Sequence, residues 1–313
     1  MGGFLLKRVS SMIIAIWGMT LISFLLIRLM PVDPVEAYFA MNQLPVTDAA
    51  IEEIRAEQGL DRPLLVQYGT WVKKAVQLDF GQSFLTKKPV SKELFGRFSV
   101  TLSLTTAAFV LVVLISGIVG VWSVLKRNRL FDKFTRTAIF AIASMPSFWL
   151  AFIFIYIAAL KWGMFPLMGW GTLDHMILPA ITLALGYIPY YIRLIRTSML
   201  EEMGKPHVVF ARARGVKESI IIRKHIIKGT LPPLFTSLAM TYGGLLGGAA
   251  IIETVFTIPG IGRYIVNSIA ARDYFVLQGF IIITGTLYIF LNFAADVLCA
   301  IVDPRARLKG DGI

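Results

Sequence analysis

Cysteine is almost missing from this chain. The 313 residues hold one, Cys299, so no internal disulfide can form, and its apolar surroundings mark it as a small packing residue. Histidine is scarce too: His175, His207 and His225 stand apart, with no H-E-x-x-H pair and no Cys/His ligand spacing. No G-x-x-x-x-G-K-[ST] loop occurs. The nearest fragment, Met203-Gly204-Lys205-Pro206, lacks the first glycine and the hydroxyl, so ATP binding through a P-loop is not expected. No Ser/His/Asp arrangement and no pair of carboxylates within one segment marks a catalytic centre. These absences argue against an enzyme and leave no catalytic, cofactor or metal-ligating residue to name. Charge is also short, at 16% of residues, against about 25% in soluble proteins.

What replaces it is apolar. Hydrophobic residues make up 56% of the chain, and the mean hydropathy is +0.71. The apolar runs reach the roughly 20 residues a helix needs to cross a bilayer. The chain reads as an all-α polytopic membrane protein. Its net charge of +12 would suggest nucleic acid in a soluble chain. Here the basic residues cluster beside the apolar runs, and the membrane surface accounts for them.

Six spans are expected, at Val9–Leu29, Thr101–Leu125, Ala138–Leu160, Ile177–Ile195, Leu234–Val255 and Val276–Val302. The first follows Lys7 and Arg8, is too long for a signal peptide and has no Ala-x-Ala site, so an uncleaved span with a cytoplasmic N-terminus is expected. The cluster Lys126-Arg127-Asn128-Arg129, with Lys133 and Arg136, marks a cytoplasmic turn, and a short basic tail follows Asp303-Pro304-Arg305. Residues 31–100 have nearly balanced charge, with a helix start at Asp48 and an amphipathic helix over Leu64–Val76, and form an expected small extracytoplasmic domain. The organisation is then 1–30 (tail and first span), 31–100 (outer domain), 101–302 (membrane core with a cytoplasmic loop at 200–232) and 303–313 (cytoplasmic tail).

Within the spans, Ser144-Met145-Pro146-Ser147 places a proline inside the third, where a missing hydrogen bond kinks a helix. Gly243, Gly244, Gly247 and Gly248 form two overlaid small-xxx-small pairs that permit close helix packing in the fifth. Pro146 and this glycine cluster are candidate points of bending or sliding, with static packing as the plain alternative. Two carboxylates fall at membrane depth, Glu253 and Asp296, where ionisable groups are costly. Asp296 reads as a polar tie between helices or as a substrate or ion ligand. Glu253 reads equally as a functional group or as a structural part of Glu253-Thr-Val-Phe-Thr-Ile-Pro-Gly-Ile-Gly262.

The most basic run lies between the fourth and fifth spans, from His207 to Pro233. Arg212, Arg214, Lys217, Arg223, Lys224 and Lys228 are answered by Glu218 alone, and a small-residue patch, Ala211-x-Ala213-x-Gly215, sits among them. This run resembles the cytoplasmic EAA-type loop of permease subunits from ABC importers that use a binding protein. The A-x-A-x-G core with a later Leu231-Pro232 is most similar to the peptide/nickel family. Arg28-Leu-Met-Pro-Val-Asp33-Pro34, Gly59-Leu60-Asp61-Arg62-Pro63, Asp79-Phe80-Gly81-Gln82-Ser83, Ser144-Met-Pro146-Ser-Phe-Trp149, Glu253-Thr-Val-Phe256-x-x-Pro259-Gly260-x-Gly262-Arg263 and Asp303-Pro304-Arg305 extend the resemblance along nearly the whole chain. The loop departs from the general motif, because Phe210-Ala211-Arg212-Ala213 replaces its Glu-Ala-Ala opening. An acidic role there is therefore not carried over.

The resemblance implies a type I importer permease in a bacterial or archaeal cytoplasmic membrane, with both termini cytoplasmic. It also implies a second homologous permease, two ABC ATPase subunits that bind the ATP and Mg, an extracytoplasmic substrate-binding protein and surrounding lipid. It implies no nucleic acid. Ala211, Ala213 and Gly215, with Arg212 and Arg214, are the residues expected to meet the ATPase. Nickel, a metal chelate, or di- and oligopeptides are the implied substrates, with Leu64–Trp71 and Leu78–Gly81 closer to nickel-type permeases. A secondary transporter or channel working alone, and a non-transporting scaffold, are the alternatives from other classes.

Overall fold

Apolar sequence becomes helix throughout. In the computed structural model, residues 2–29, 51, 52, 55, 56 and 61–302 are described. The expected helix start at Asp48, the Met30–Pro34 part of the first signature, Gly59-Leu60 and the tail from Asp303 lie outside the described residues. Among the described residues every regular element is a helix, and one isolated antiparallel bridge pairs Gln82 with Pro89. In chain order the helices are α1 (Gly2–Arg28), α2 (Leu64–Val76), α3 (Val90–Leu125), α4 (Leu130–Ala143), α5 (Ser147–Phe154), α6 (Leu173–Leu185) and α7 (Ile188–Met203). They continue with α8 (Pro206–Ala213), α9 (Glu218–Ile221), α10 (Ile227–Val255), α11 (Ile261–Ala270) and α12 (Tyr274–Val302). Wider π-helical turns extend α5 over Ile155–Lys161 and join α9 to α10 over Ile222–Ile226.

Two helices are long and apolar enough to cross a membrane, α1 over Arg8–Leu25 and α3. At 36 residues α3 is about 54 Å long, well beyond the ~30 Å hydrocarbon layer. Three further apolar helix pairs, each long enough together to span, are sharply bent. The pair α4 and α5 turns through 105°, α6 and α7 through 50°, and α10 through 53° between Phe235 and Met240. The described apolar stretch of α12 is Tyr274–Phe290.

The largest bend corrects the expectation of one kinked helix over Ala138–Leu160. Pro146 lies outside both helices: α4 ends at Ala143, and Pro146, extended at φ −61° and ψ 141°, is the residue from which α5 starts. Proline has no N–H to donate and steers its predecessor away from helix, so the chain breaks where a softer residue would bend. Pro179 is tolerated inside α6, and Pro189 opens α7, where a missing N–H leaves no bond unmade.

The chain divides into two compact units, residues 1–99 with 263–293 and residues 100–262 with 294–313. In the first, Phe24 of α1 packs edge-on to Tyr68 at 5.4 Å and beside Trp71 at 6.0 Å, and Tyr68 shares a 2.9 Å hydrogen bond with Thr20. This fixes the amphipathic α2 on α1. The loop Gln77–Pro89 is anchored by Asp273, which accepts from the Ser83 hydroxyl at 2.6 Å and the Leu85 amide at 3.2 Å. Phe84 stacks edge-on against Phe275. Gly279 lets α12 press on α3, since a Cβ there would lie 2.9 Å from both Val90 and Leu94. The larger core of the second unit includes Leu104, Ala108 and Val112 of α3, Leu183 and Tyr191 on either side of the α6–α7 bend, and Leu245, Ala249 and Ile252 of α10.

Candidate functional site

The basic run between α7 and α10 folds as two short helices on a bed made by the second unit. Gly204 closes α7, Lys205 turns extended (φ −69°, ψ 145°), and Pro206 starts α8, which lasts eight residues. α8 ends with a left-handed turn. Gly215 has φ +74°, its amide donates to the Arg212 carbonyl at 2.9 Å, and the Val216 amide reaches the Ala211 carbonyl at 3.2 Å. Those are the bonds that satisfy a helix's last carbonyls, and glycine adopts that conformation without steric penalty.

One face of this segment is held. Val208 is fully buried and belongs to a cluster with Val124, Ile195, Met199, Ile221 and Ile226, against which Ala211 also packs. The other face is free: Val209 is 51% and Phe210 68% exposed. Arg212 forks onto Glu218, at 3.1 and 2.6 Å, and closes the segment upon itself. The Arg212 hydrogen bond holds the Glu218 carboxyl below its ordinary range, and the same contact raises Arg212.

The five residues expected to meet a partner therefore fall in different positions. Ala213, Arg214 and Gly215 lie exposed at the C-terminal end of α8. Ala211 is half-buried against its own chain, and Arg212 is paired within it. No atom comes within 4 Å of a Cβ built on Gly215, so the backbone turn, and no close approach within this chain, calls for glycine there. The outward apolar pair Val209 and Phe210 was missed in the sequence, because Val208, Val209 and Phe210 read as one apolar run.

Glu253 is completely buried near the end of α10. Thr101 of α3 donates a short hydrogen bond to its carboxylate, and the Ile261 amide donates to Thr101 Oγ1 at 2.9 Å. A Cβ on Gly260 would stand 2.2 Å from the Glu253 carboxyl carbon, and one on Gly262 would stand 2.5 Å from the Ala250 Cα. The Glu253–Gly262 motif is thus a turn wrapped around its own carboxylate. The side chain of Asp296 lies outside the described residues. In the glycine cluster, a Cβ on Gly244 would be 2.7 Å from the Tyr187 hydroxyl and one on Gly248 3.5 Å from Leu183, while Gly247 meets nothing within 4 Å. Gly244 and Gly248 thus seat α10 on the α6–α7 bend.

Two buried acids carry no motif in the sequence. Asp132 accepts from Ser123 at 2.6 Å, the Asn128 amide at 3.1 Å and the Arg196 fork at 3.0 and 3.1 Å. Glu202, the last acid of α7, lies beside Lys205 and His207. Their one signal in sequence is an acid among cations.

The fold, bent apolar helices with a short helical segment between α7 and α10, has counterparts among solved transporters. The methionine ABC transporter MetNI, crystallised in an inward-facing conformation, matches with a TM-score of 0.54 at 21% identity, over 67% of this chain and 96% of that one. The crystal structure of an amino acid ABC transporter with histidines gives 0.52 at 17%, over 69% and 94%. The fold is that of a type I ABC importer permease.

The chain belongs to the family of binding-protein-dependent transport system inner membrane components, whose model matches residues 113–308, with the model of that family's N-terminal region matching residues 1–105. A Brucella abortus protein named as a peptide transport system permease is 36% identical over 98% of this chain and 99% of its own length. CntB, a metal-staphylopine import system permease of Staphylococcus aureus, is 33% identical over 97% and 98%. GsiC, a glutathione transport system permease of Escherichia coli, is 33% identical over 98% and 99%. This chain is accordingly a permease of the ABC importer class in a bacterial inner membrane. The readings as a self-sufficient channel and as a scaffold fall.

Proposed function

We propose that this chain forms half of the translocation path of an importer for peptides or metal chelates, and that residues 205–218 receive an ATPase subunit. The observation that carries this reading is the outward pair Val209 and Phe210 on a helix whose opposite face is locked to the membrane unit. An exposed aromatic on a fixed helix is the kind of anchor on which protein interfaces concentrate their energy. The chain holds no P-loop, so ATP and Mg belong to two partner ATPases and none is bound here. A homologous permease completes the path, and a binding protein delivers substrate to the outer domain of residues 31–100. Both termini are cytoplasmic, which puts the basic loops on the side the positive-inside rule requires.

The substrate reading rests on the relatives, named for peptides, metal-staphylopine and glutathione. The nickel-type reading of Leu64–Trp71 remains part of the same proposal, with any nickel carried as a chelate. The test is uptake by proteoliposomes of the complete complex, offered in turn Ala-Ala, glutathione and a nickel–histidine chelate. ATP-dependent uptake of at least one, lost when the ATPases are omitted, supports the reading. Uptake that persists without ATPases overturns it.

A further inference from the structure

We infer that Glu202 is a positioning residue that locks the docking segment to the ends of α7 and α10, so that the three move as one body. The inference rests on the reading of residues 205–218 as the surface that receives the ATPase. Glu202 sits in the last turn of α7 and is 4% exposed, a carboxylate held out of water beside the docking segment. Its Oε2 pairs with Nζ of Lys205, the residue that opens α8, and its Oε1 lies 3.2 Å from Nε2 of His207 in the first turn of that helix. The His207 ring in turn lies 6.0 Å from the His225 ring, in the π-helical turn that leads into α10.

The third element is α10 itself. Gly229 faces the carboxylate so closely that a Cβ would lie 2.3 Å from Glu202 Cδ and 2.4 Å from Oε1. Thr230 and Ile226 on either side are buried, so Gly229 cannot back away without unpacking the helix. One carboxylate therefore touches the end of α7, the start of α8 and the first turn of α10. A buried carboxylate stripped of its partners is left with uncompensated desolvation. Displacing α8 from α7 would leave Glu202 in that state, whereas moving the three together does not. Val208 and Ala211 supply only a small apolar contact for an eight-residue helix, and the charged latch is what makes the attachment stiff.

The test uses the assembled complex in proteoliposomes, with whichever of Ala-Ala, glutathione or nickel–histidine the wild type takes up as the probe. Three quantities are read: co-purification of ATPase, ATP hydrolysis, and probe transported per ATP. E202Q, which keeps shape and removes charge, and Gly229→Ala, which pushes a methyl into the carboxylate, are expected to retain ATPase and hydrolyse ATP. Transport per ATP should fall about threefold to thirtyfold, the range for residues that carry coupling. Glu202→Asp, which restores the charge, should recover part of that ratio. Where E202Q does not assemble, the double substitution Lys205→Met with His207→Asn removes the same contacts from the exposed side and should show the same ratio. A wild-type ratio in both E202Q and Gly229→Ala overturns the inference, as does a fall in thermal stability with the ratio unchanged. Phe210→Asp separates it from the reading it rests on. If that variant releases the ATPase while E202Q transports normally, only the latch fails; if it leaves ATPase bound and coupled, the docking segment itself is misassigned.

Discussion

Truncating Phe210 to alanine should weaken the hold of the ATPase by about 2 kcal/mol at this site. A phenylalanine buries about 150–250 Å² when fully covered. With 68% of Phe210 exposed, about 100–170 Å² remains for a partner to cover. At about 25 cal/mol per Å² that area is worth about 2.5–4 kcal/mol, and ordering the ring and its pocket offsets part of it. Phe210→Ala should therefore raise the dissociation constant of ATPase from detergent-solubilised permease about thirtyfold. The side chain touches little of its own chain, so the thermal midpoint of the isolated permease should stay where it is. Titration of labelled ATPase onto immobilised permease, with Leu167→Ala in the loop before α6 as a matched apolar control, reads both values. Affinity unchanged within twofold at Phe210, or an equal loss at Leu167, would refute the assignment of this face.

Three other substitutions probe the frame around it. Gly215→Val should destabilise the protein by about 1–3 kcal/mol, and Gly215→Asn by less, because the φ of +74° and not crowding sets the demand; thermal unfolding of the purified permease checks the order. Glu253→Ala should lower stability by about 1–3 kcal/mol through loss of the acceptor for the Thr101 hydroxyl, and Gly260→Ala should be at least as damaging because its methyl would enter the carboxylate; membrane expression and melting of both variants test this. Asp132→Ala should cost about 3 kcal/mol by stranding Arg196, and the double variant Asp132→Ala with Arg196→Met should recover part of it in the same melting assay.

Much of this fold could be read along the chain. The six apolar runs are where the long or paired helices lie, and the Asp79–Ser83 and Glu253–Gly262 motifs fall in tightly packed turns. Phe80 and Ser83 are buried in the first, and Gly260 is pressed onto Glu253 in the second. The 105° break at Pro146 was legible as a weak point but not as a full stop, since proline interrupts one hydrogen bond and only its neighbours decide how far the chain then turns. The buried acids were illegible for a different reason. Asp132 finds Arg196 across 64 positions and Ser83 finds Asp273 across 190, so an acid in a basic loop looks solvated until the fold brings its partner. The outward face of α8 escaped for want of length, because eight residues make barely two turns and give no reliable phase to a run of three apolar side chains.

The most direct measurement places a cross-linker on that face. In a complex whose permease has lost its one cysteine by Cys299→Ala, Phe210→Cys and Val209→Cys should cross-link to the ATPase subunit at short reach, and Leu167→Cys, in the loop before α6, should not. A fully assembled complex in which neither position reaches the ATPase, or in which Leu167→Cys reaches it equally, would contradict the account.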